Sequence, residues 1–191
     1  MTQFLQTYLK KLKQNGIERK IPNISEENAE FIKDLIREKA PKHLLEIGTA
    51  NGYSALQFSQ AVADSSTITT IEYAWNAHVE AVEHFKNCKS KNIYALWGDA
   101  KAIIPTLADA YFDFLYIDAM KREYLDYLLL SLRKLTEDAI IVIDDVEKFR
   151  DKMENLYSYL EINTIPYKLE KTDIDDSIMI LERKNIAPLK L

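Results

Sequence analysis

The sequence predicts an α/β protein whose doubly wound, mostly parallel sheet has seven strands and ends in an antiparallel hairpin. From residue 43 onward, short and almost continuously apolar segments alternate with helical patterns, which is typical of parallel strands covered on both faces by helices. The last two apolar segments, 165–171 and 177–183, are separated only by residues 172–176. That connection is too short for a parallel crossover, so this pair should form a hairpin.

The bulk properties favour one cytoplasmic domain. A chain of 191 residues without a Gly/Ser-rich linker can build one sizeable core, so we expect a single domain over 1–191, with an N-terminal helical segment at 1–42 and the sheet at 43–191. No apolar stretch approaches the about 18 residues that a membrane span needs, and no signal-peptide pattern is visible. The single cysteine, Cys88, fits a reducing compartment. We therefore expect no membrane partner.

Taken in order, the elements begin with an amphipathic helix at 2–14, which Asn15 and Gly16 should end with a left-handed cap. Ser25 should cap a second helix that stops before Pro41. The predicted parallel strands cover 44–48, 68–72, 93–97, 112–117 and 139–143. The helices that follow them are predicted at 53–63, 75–88, 101–108, 121–135 and 147–161.

Acidic residues gather where ligands bind in such sheets, at the carboxyl ends of the strands. Each of the five parallel strands ends in a carboxylate or leads directly into one: Glu46, Glu72, Asp99, Asp118 and Asp144. Glu72 closes the second strand shortly after a glycine-containing turn, where an acid can accept both hydroxyls of a ribose. The pattern predicts a nucleoside-containing cofactor.

The glycine turn itself narrows the class of cofactor. It has the form Glu-x-Gly-x-x-x-Gly, with Glu46, Gly48 and Gly52, and it lacks the middle glycine of a pyrophosphate-binding turn. An acid beside the loop would repel phosphate but would suit an ammonium and a sulfonium, both of which S-adenosylmethionine carries. A nicotinamide dehydrogenase is disfavoured for the same two reasons.

These motifs resemble those of the class I S-adenosylmethionine-dependent methyltransferases. Within that class the chain is similar to the metal-dependent O-methyltransferases that include catechol and caffeoyl-CoA O-methyltransferases. The resemblance spans nearly the whole chain and is carried by residues 21–25, 45–54, 70–73, 98–100, 116–124 and 143–146. It implies a Rossmann-like methyltransferase fold, to which the terminal hairpin also corresponds.

The resemblance also assigns the cofactor contacts. It implies that Glu72 holds the ribose hydroxyls and that Asp99 and Ala100 lie at the adenine edge. The remaining expected cofactor-binding residues are Asn23, Ile24, Glu46, Gly48, Gly52, Tyr53, Ser54 and Asp118.

A second acidic group should form the reacting centre. Asp118, Asp144 and Asp145 end neighbouring strands, and three converging carboxylates would repel one another without a cation. Hard oxygen ligands suit Mg²⁺, with Mn²⁺ or Ca²⁺ as alternatives. By resemblance, the motif Ile-Asp-x-x-Lys at 117–121 places Asp118 on the metal and makes Lys121 the base for the substrate hydroxyl. We expect the ion and the sulfonium to depress the pKa of Lys121.

Two departures from the family leave the acceptor open. The relatives usually have Asp-Asn where this chain has Asp144 and Asp145, and they carry an insertion where this chain should begin a helix at once after Val146. Without that insertion, the acceptor site should be more open than in the relatives. We expect an O-methyltransferase that acts on a catechol-like small-molecule hydroxyl, and a homodimer by analogy.

Two alternatives stay open at this point. One is a hydroxylated tRNA base as acceptor, and the other is a non-catalytic S-adenosylmethionine-binding protein. The net charge of −5 weighs against tRNA. A basic N-terminal segment favours it, made up of Lys10, Lys11, Lys13, Arg19 and Lys20.

Overall fold

The computed structural model describes residues 2–172 and 176–187. Its strands are β1 (His43–Ile47), β2 (Thr67–Glu72), β3 (Ile93–Trp97), β4 (Phe112–Ile117), β5 (Leu135–Ile143), β6 (Lys168–Glu170) and β7 (Ile178–Glu182). They form one seven-stranded sheet in the order β3-β2-β1-β4-β5-β7-β6. The strands from β1 to β5 pair in parallel, whereas β7 runs antiparallel to both β5 and β6. The predicted fold class is therefore confirmed.

Helices cover both faces of this sheet. They are α1 (Thr2–Arg19), α2 (Glu26–Lys39), α3 (Tyr53–Phe58), α4 (Trp75–Asn87), α5 (Ala100–Ile103), α6 (Tyr124–Ser131) and α7 (Glu154–Ile162). Buried side chains of α1 to α4 form one core with the sheet, and those of α5 to α7 form a second core on the opposite face. Within the described residues, no helix is both long and apolar enough to cross a membrane.

The first helix is longer than its sequence predicts. It continues through Asn15 and Gly16 to Arg19, and Lys20 adopts the left-handed conformation with φ 58°. Gly16 lies next to Asn23, and a Cβ there would lie 2.1 Å from the side-chain nitrogen of Asn23, which would have to move. The prediction that Gly16 ends the helix is wrong. The prediction for α2 is confirmed, because the Ser25 hydroxyl accepts a hydrogen bond from the backbone N–H of Asn28 at 3.1 Å.

The segment after β5 also differs from the prediction, because no helix begins directly after the strand. Residues 146–149 form a turn and Arg150–Lys152 a 3-10 helix before α7 begins at Glu154. The turn is fixed by Asp176, whose Oδ1 accepts from the backbone N–H of Glu147 at 2.9 Å and of Lys148 at 3.1 Å. The expected helix at 147–161 is therefore wrong in its first turns.

Several other boundaries shift for local reasons. The helices expected at 101–108 and 121–135 are interrupted by 3-10 turns at Ile104–Thr106 and Lys121–Glu123, and α3 ends at Phe58. The predicted strand at 139–143 begins earlier, at Leu135. Of the predicted hairpin turn at 172–176, residues 173–175 lie outside the described residues.

Candidate active site

A cavity of about 690 Å³ opens at the carboxyl ends of β1, β2 and β4, within the size range of small-molecule sites. Ten of the residues that the sequence singles out line it: Asn23, Ile24, Gly48, Ser54, Glu72, Asp99, Ala100, Asp118, Lys121 and Asp145. The other four do not line it: Glu46, Gly52, Tyr53 and Asp144. The structure therefore brings most of the expected set together in one space.

The two loop glycines give close contacts between protein segments. Gly48 has φ +101°, and a Cβ there would lie 1.9 Å from the backbone oxygen of Asp118. Gly52 has φ +82°, and a Cβ there would lie 2.6 Å from the ring of Phe85 on α4. Both positions need glycine, because an L side chain would meet a neighbour as well as backbone strain. The missing side chain at Gly48 lets Asp118 approach the loop.

Glu46 lies beneath the cavity and is completely buried. Its Oε2 accepts a hydrogen bond from the hydroxyl of Thr70 at 2.5 Å, and Thr70 in turn lies 2.5 Å from the hydroxyl of Thr49. Among the described residues, Oε1 has no hydrogen-bond partner. Burial raises the pKa of Glu46 to about 7, against the smaller lowering effect of the hydroxyls of Ser54 and Thr70, and the charges of Asp118 and Glu72 raise it slightly further.

Two further carboxylates are held in place by backbone groups. Glu72 accepts from the N–H of Ala50 through Oε2 and from the N–H of Ala74 through Oε1, each at 2.8 Å. Asp99 caps α5 by accepting from the N–H of Lys101 at 2.8 Å. Each carboxylate oxygen has a second lone pair, so both acids can still accept hydrogen bonds from a ligand.

Lys121 joins the acids on the opposite side of the cavity. Its Nζ lies 2.8 Å from Oδ1 of Asp118 and 2.8 Å from Oδ2 of Asp145, and it donates to the hydroxyl of Tyr124 at 2.6 Å. Burial lowers the pKa of Lys121, but the two carboxylates outweigh burial and the net pKa is raised. The expectation that a bound ion and a sulfonium lower the pKa of Lys121 stays a prediction.

Asp144 is turned into the protein. Its Oδ2 accepts from the hydroxyl of Tyr116 at 2.7 Å, and its Oδ1 accepts from the side-chain amide of Asn28 at 3.0 Å. Burial, together with the charges of Asp118 and Asp145, raises its pKa to about 7. Within the described part of the chain, no group of three or more His, Cys, Asp and Glu side chains is arranged to hold a metal ion. The cation between Asp118 and Asp145 is the ammonium of Lys121.

Sequence reasoning missed four side chains of this region. Asn28 and Tyr116 hold Asp144, Tyr124 accepts from Lys121, and Phe149 lines the cavity with its ring centre 5.7 Å from Nζ of Lys121. Tyr124 stands three residues after Lys121, and that spacing could have predicted its contact. Asn28 carries no comparable signal, since it lies 116 residues from Asp144.

Tyr53 and part of the basic segment have internal partners. The hydroxyl of Tyr53 accepts from the side-chain amide of Gln57 at 2.8 Å. Lys13 donates to the backbone oxygens of Asn23 at 3.1 Å and Ile24 at 2.5 Å, and so ties α1 to the cavity wall. Arg19 forms a two-pronged ion pair with Glu80 on α4. These contacts reduce the positive charge that is available to a nucleic acid.

Residues 2–155 match the family described as O-methyltransferase, and the chain therefore belongs to that family. A catechol O-methyltransferase of Mycobacterium tuberculosis is 28% identical over 124 residues, which cover 64% of this chain and 56% of that protein. A catechol O-methyltransferase of Bos taurus is 26% identical over 170 residues, which cover 78% of this chain and 62% of that protein. The matched part thus spans little more than half of these relatives' lengths.

Solved structures show the same fold. The O-methyltransferase TomG of Streptomyces achromogenes, in complex with SAM, has a TM-score of 0.78 at 22% identity, over 92% of this chain and 89% of that one. The SAH-bound methyltransferase PaMTH1 of Podospora anserina has a TM-score of 0.80 at 21% identity, over 93% and 86% of the two chains. The resemblance inferred from the motifs is confirmed by the family match.

Proposed function

We propose that this chain is an S-adenosylmethionine-dependent O-methyltransferase. The observation that carries the proposal is the arrangement of one cavity, with Glu72 and Asp99 on one part of its wall and Lys121 between two carboxylates on another. The first part suits a nucleoside and the second suits a hydroxyl that must lose a proton. Membership of the O-methyltransferase family supports the same activity.

The charges around the cavity fit the cofactor. Glu72 would accept the ribose hydroxyls, and Asp99 and Ala100 would lie at the adenine edge. Asn23, Ile24, Gly48, Ser54 and Asp118 would bound the methionine portion from the wall. Glu46, which has a buried oxygen without a partner, would act from below as the counter-charge for the cationic end. Gly52 and Tyr53 would act one layer further out, by fixing the shape of the loop.

The chemistry requires a hydroxyl to become a nucleophile next to Lys121. S-adenosylmethionine supplies a methyl group on a positively charged sulfur, which an oxygen lone pair can attack in line. Asp118, Asp145 and Tyr124 fix Nζ of Lys121 in place. Lys121 must itself be neutral to accept the hydroxyl proton, and positive charge in the cavity favours that state. Phe149 would exclude water from the acceptor side.

A divalent ion, Mg²⁺ or else Mn²⁺ or Ca²⁺, is part of the proposal. The donor chemistry fits, because three carboxylates outnumber the single ammonium of Lys121. Burial is the main cause of the raised pKa values of Asp118 and Asp144, and the neighbouring carboxylates add to it. Asp118 and Asp145 would hold the ion from the cavity wall, with Asp144 behind them. When bound, the ion would lower the pKa of an acceptor hydroxyl.

The proposed acceptor is a small molecule with a catechol-like hydroxyl. A hydroxylated tRNA base is the alternative, and binding competition at rising salt separates the two, because phosphate contacts weaken steeply with salt. We further propose that 1–191 is one domain, made of a helical segment at 1–42 and a core at 43–191, and that the protein is a cytoplasmic homodimer.

Transfer of a labelled methyl group from S-adenosylmethionine to catechol tests the proposed activity. We expect transfer by the wild type that depends on added Mg²⁺ and falls at least tenfold in Asp118→Asn. Glu137→Asn serves as the matched control, since Glu137 is exposed on β5 away from the cavity. Binding of the cofactor with no transfer to catechol or to tRNA at any metal concentration would favour the non-catalytic alternative.

A further inference from the structure

Lys13 differs from the other basic residues of the N-terminal segment. Lys10, Lys11, Arg19 and Lys20 are exposed, whereas Lys13 is half-buried on α1. An ammonium that loses part of its hydration on burial needs hydrogen-bond acceptors that replace the lost water. The groups that Lys13 contacts therefore determine where its charge lies, and two of them belong to residues of the cavity wall.

The first contact of Lys13 is with the segment between α1 and α2. Residues 21–25 form neither a helix nor a strand, and Pro22, Asn23 and Ile24 line the cavity. Nζ of Lys13 donates to the backbone oxygen of Asn23 at 3.1 Å and to that of Ile24 at 2.5 Å. Backbone carbonyls outside regular structure need other donors. Lys13 supplies them here, and so fixes the orientation of two peptide groups in the wall.

The second contact of Lys13 is with the start of α3. Its Nζ lies 5.3 Å from the ring centre of Tyr53, within the range of a cation–π interaction. Tyr53 is buried and directly precedes Ser54, which lines the cavity. Lys13 does not line the cavity itself. Its charge thus lies behind the wall, beside two stretches of chain that would bound the methionine portion of the cofactor.

The methionine portion carries a carboxylate as well as an ammonium, and the cavity wall is poor in groups that attract an anion. Among the described residues that line the cavity, Lys121 is the only basic one, and its Nζ already lies between the carboxylates of Asp118 and Asp145. Glu72 and Asp99 add further negative charge to the wall. A cofactor carboxylate therefore needs backbone donors and a positive charge from elsewhere.

The hydrogen bond from Lys13 to Asn23 prepares such a donor. In a trans peptide the C=O of one residue and the N–H of the next point in opposite directions, so the N–H of Ile24 is directed away from Lys13. A cation on the carbonyl oxygen also polarises the peptide, which strengthens its N–H as a donor. Lys13 can thus act on an anion in the cavity through the peptide that joins Asn23 to Ile24.

We propose that Lys13 is a positioning residue for the carboxylate of the cofactor. It fixes and polarises the peptide between Asn23 and Ile24, and its charge attracts the carboxylate from behind the wall. The proposal takes S-adenosylmethionine as the ligand of this cavity, and in that respect it rests on the proposed function. A purely structural lysine would affect all ligands of the cavity alike, whereas this role affects only those with a carboxylate.

Equilibrium binding of two ligands tests this role: S-adenosylmethionine and its decarboxylated form, which lacks only the carboxylate. We expect Lys13→Met to bind S-adenosylmethionine about tenfold more weakly than the wild type, because a charge-assisted contact is lost. The same variant should bind the decarboxylated form at least as tightly as the wild type does. Lys11→Met is the matched control, since Lys11 is exposed on the same helix, and it should bind both ligands like the wild type.

Two further variants and a kinetic measurement complete the test. Lys13→Arg keeps the charge and should recover most of the affinity for S-adenosylmethionine. Lys13→Gln keeps a donor without the charge, and it should show the same contrast between the ligands if Lys13→Met does not fold. In turnover, the KM for S-adenosylmethionine should rise in Lys13→Met with kcat nearly unchanged, because the carboxylate end of the cofactor does not react.

The outcomes separate this role from the proposed function. Equal losses of affinity for both ligands in a folded variant, or no loss for S-adenosylmethionine, would overturn the role of Lys13 and leave the methyl transfer untouched. A wild type that binds neither ligand would refute the cofactor site, and the role of Lys13 with it.

Discussion

Replacing Glu46 with Gln should make the protein more stable at neutral and alkaline pH. The carboxyl group is fully buried, and its pKa of about 7 in the folded state stands well above its ordinary value of 4.5. Below pH 4.5 the group is protonated in both states and costs nothing. Between 4.5 and 7 the unfolded chain loses the proton while the folded chain keeps it, so stability falls as pH rises. Above pH 7 the cost is constant, at about 3 kcal/mol.

Glutamine has nearly the same shape and does not titrate. The free energy of unfolding of Glu46→Gln, relative to wild type, should therefore increase by about 2.5 kcal/mol between pH 5 and pH 8. Urea unfolding at four or five pH values measures this difference, and the titration of all other groups cancels in the comparison. Glu137→Gln is the control, because Glu137 is exposed. Parallel stability curves for wild type and Glu46→Gln would refute the reasoning.

The same residue should link cofactor binding to a proton. A cationic ligand favours the ionised carboxylate, so binding of S-adenosylmethionine at pH 7 should release a proton from Glu46 in the wild type. Calorimetry in two buffers of different ionisation enthalpy measures that release. The Glu46→Gln protein should release less, and an equal release from both proteins would exclude Glu46 as the source.

Three other substitutions have definite expected outcomes. Lys121→Met should lower turnover with cofactor affinity nearly unchanged. In the wild type, log kcat should rise with pH as Lys121 loses its proton, and this rise should be absent in the variant. A fully active variant would exclude the role of Lys121 as the base. Asp145→Asn should shift the rise of log kcat to lower pH, because it removes one of the two charges that raise the pKa of Lys121. Asn tolerates the left-handed φ of 58° at this position, so the backbone should not change. An unchanged pH profile would contradict this expectation. Gly48→Ala should cost more than about 2 kcal/mol in urea unfolding, since its Cβ would lie 1.9 Å from the backbone oxygen of Asp118; a neutral effect would show that the loop can move.

The parts of the site that sequence could predict are those fixed by the sheet. Glu72 and Asp99 follow strand ends, and parallel strands bring their carboxyl ends to one edge. Their place on the cavity wall follows from strand periodicity alone. The contact between Lys121 and Asp118 was also predictable, because the two residues are three positions apart and side chains at that spacing lie close together.

The parts that sequence could not predict depend on contacts between distant segments. The pKa of Lys121 is raised by Asp118 and, to a smaller extent, by Asp145, which comes from another strand end and whose distance from Lys121 could not be known from the sequence. The residue type of Gly16 predicts a helix end, whereas Gly16 lies inside α1, next to the side chain of Asn23. The turn after Val146 is fixed by Asp176, which lies just before β7 and far along the chain from the turn. Local propensity contains none of this information.

Equilibrium binding of S-adenosylmethionine to wild type and to Glu72→Ala decides whether the cavity is the cofactor site. We expect one cofactor per chain for the wild type and at least about tenfold weaker binding for the variant, because two hydrogen bonds to a charged group are lost. Circular dichroism of both proteins should be the same. Equal affinity of the two proteins, or no binding by the wild type, would contradict the placement of the cofactor between Glu72 and Lys121.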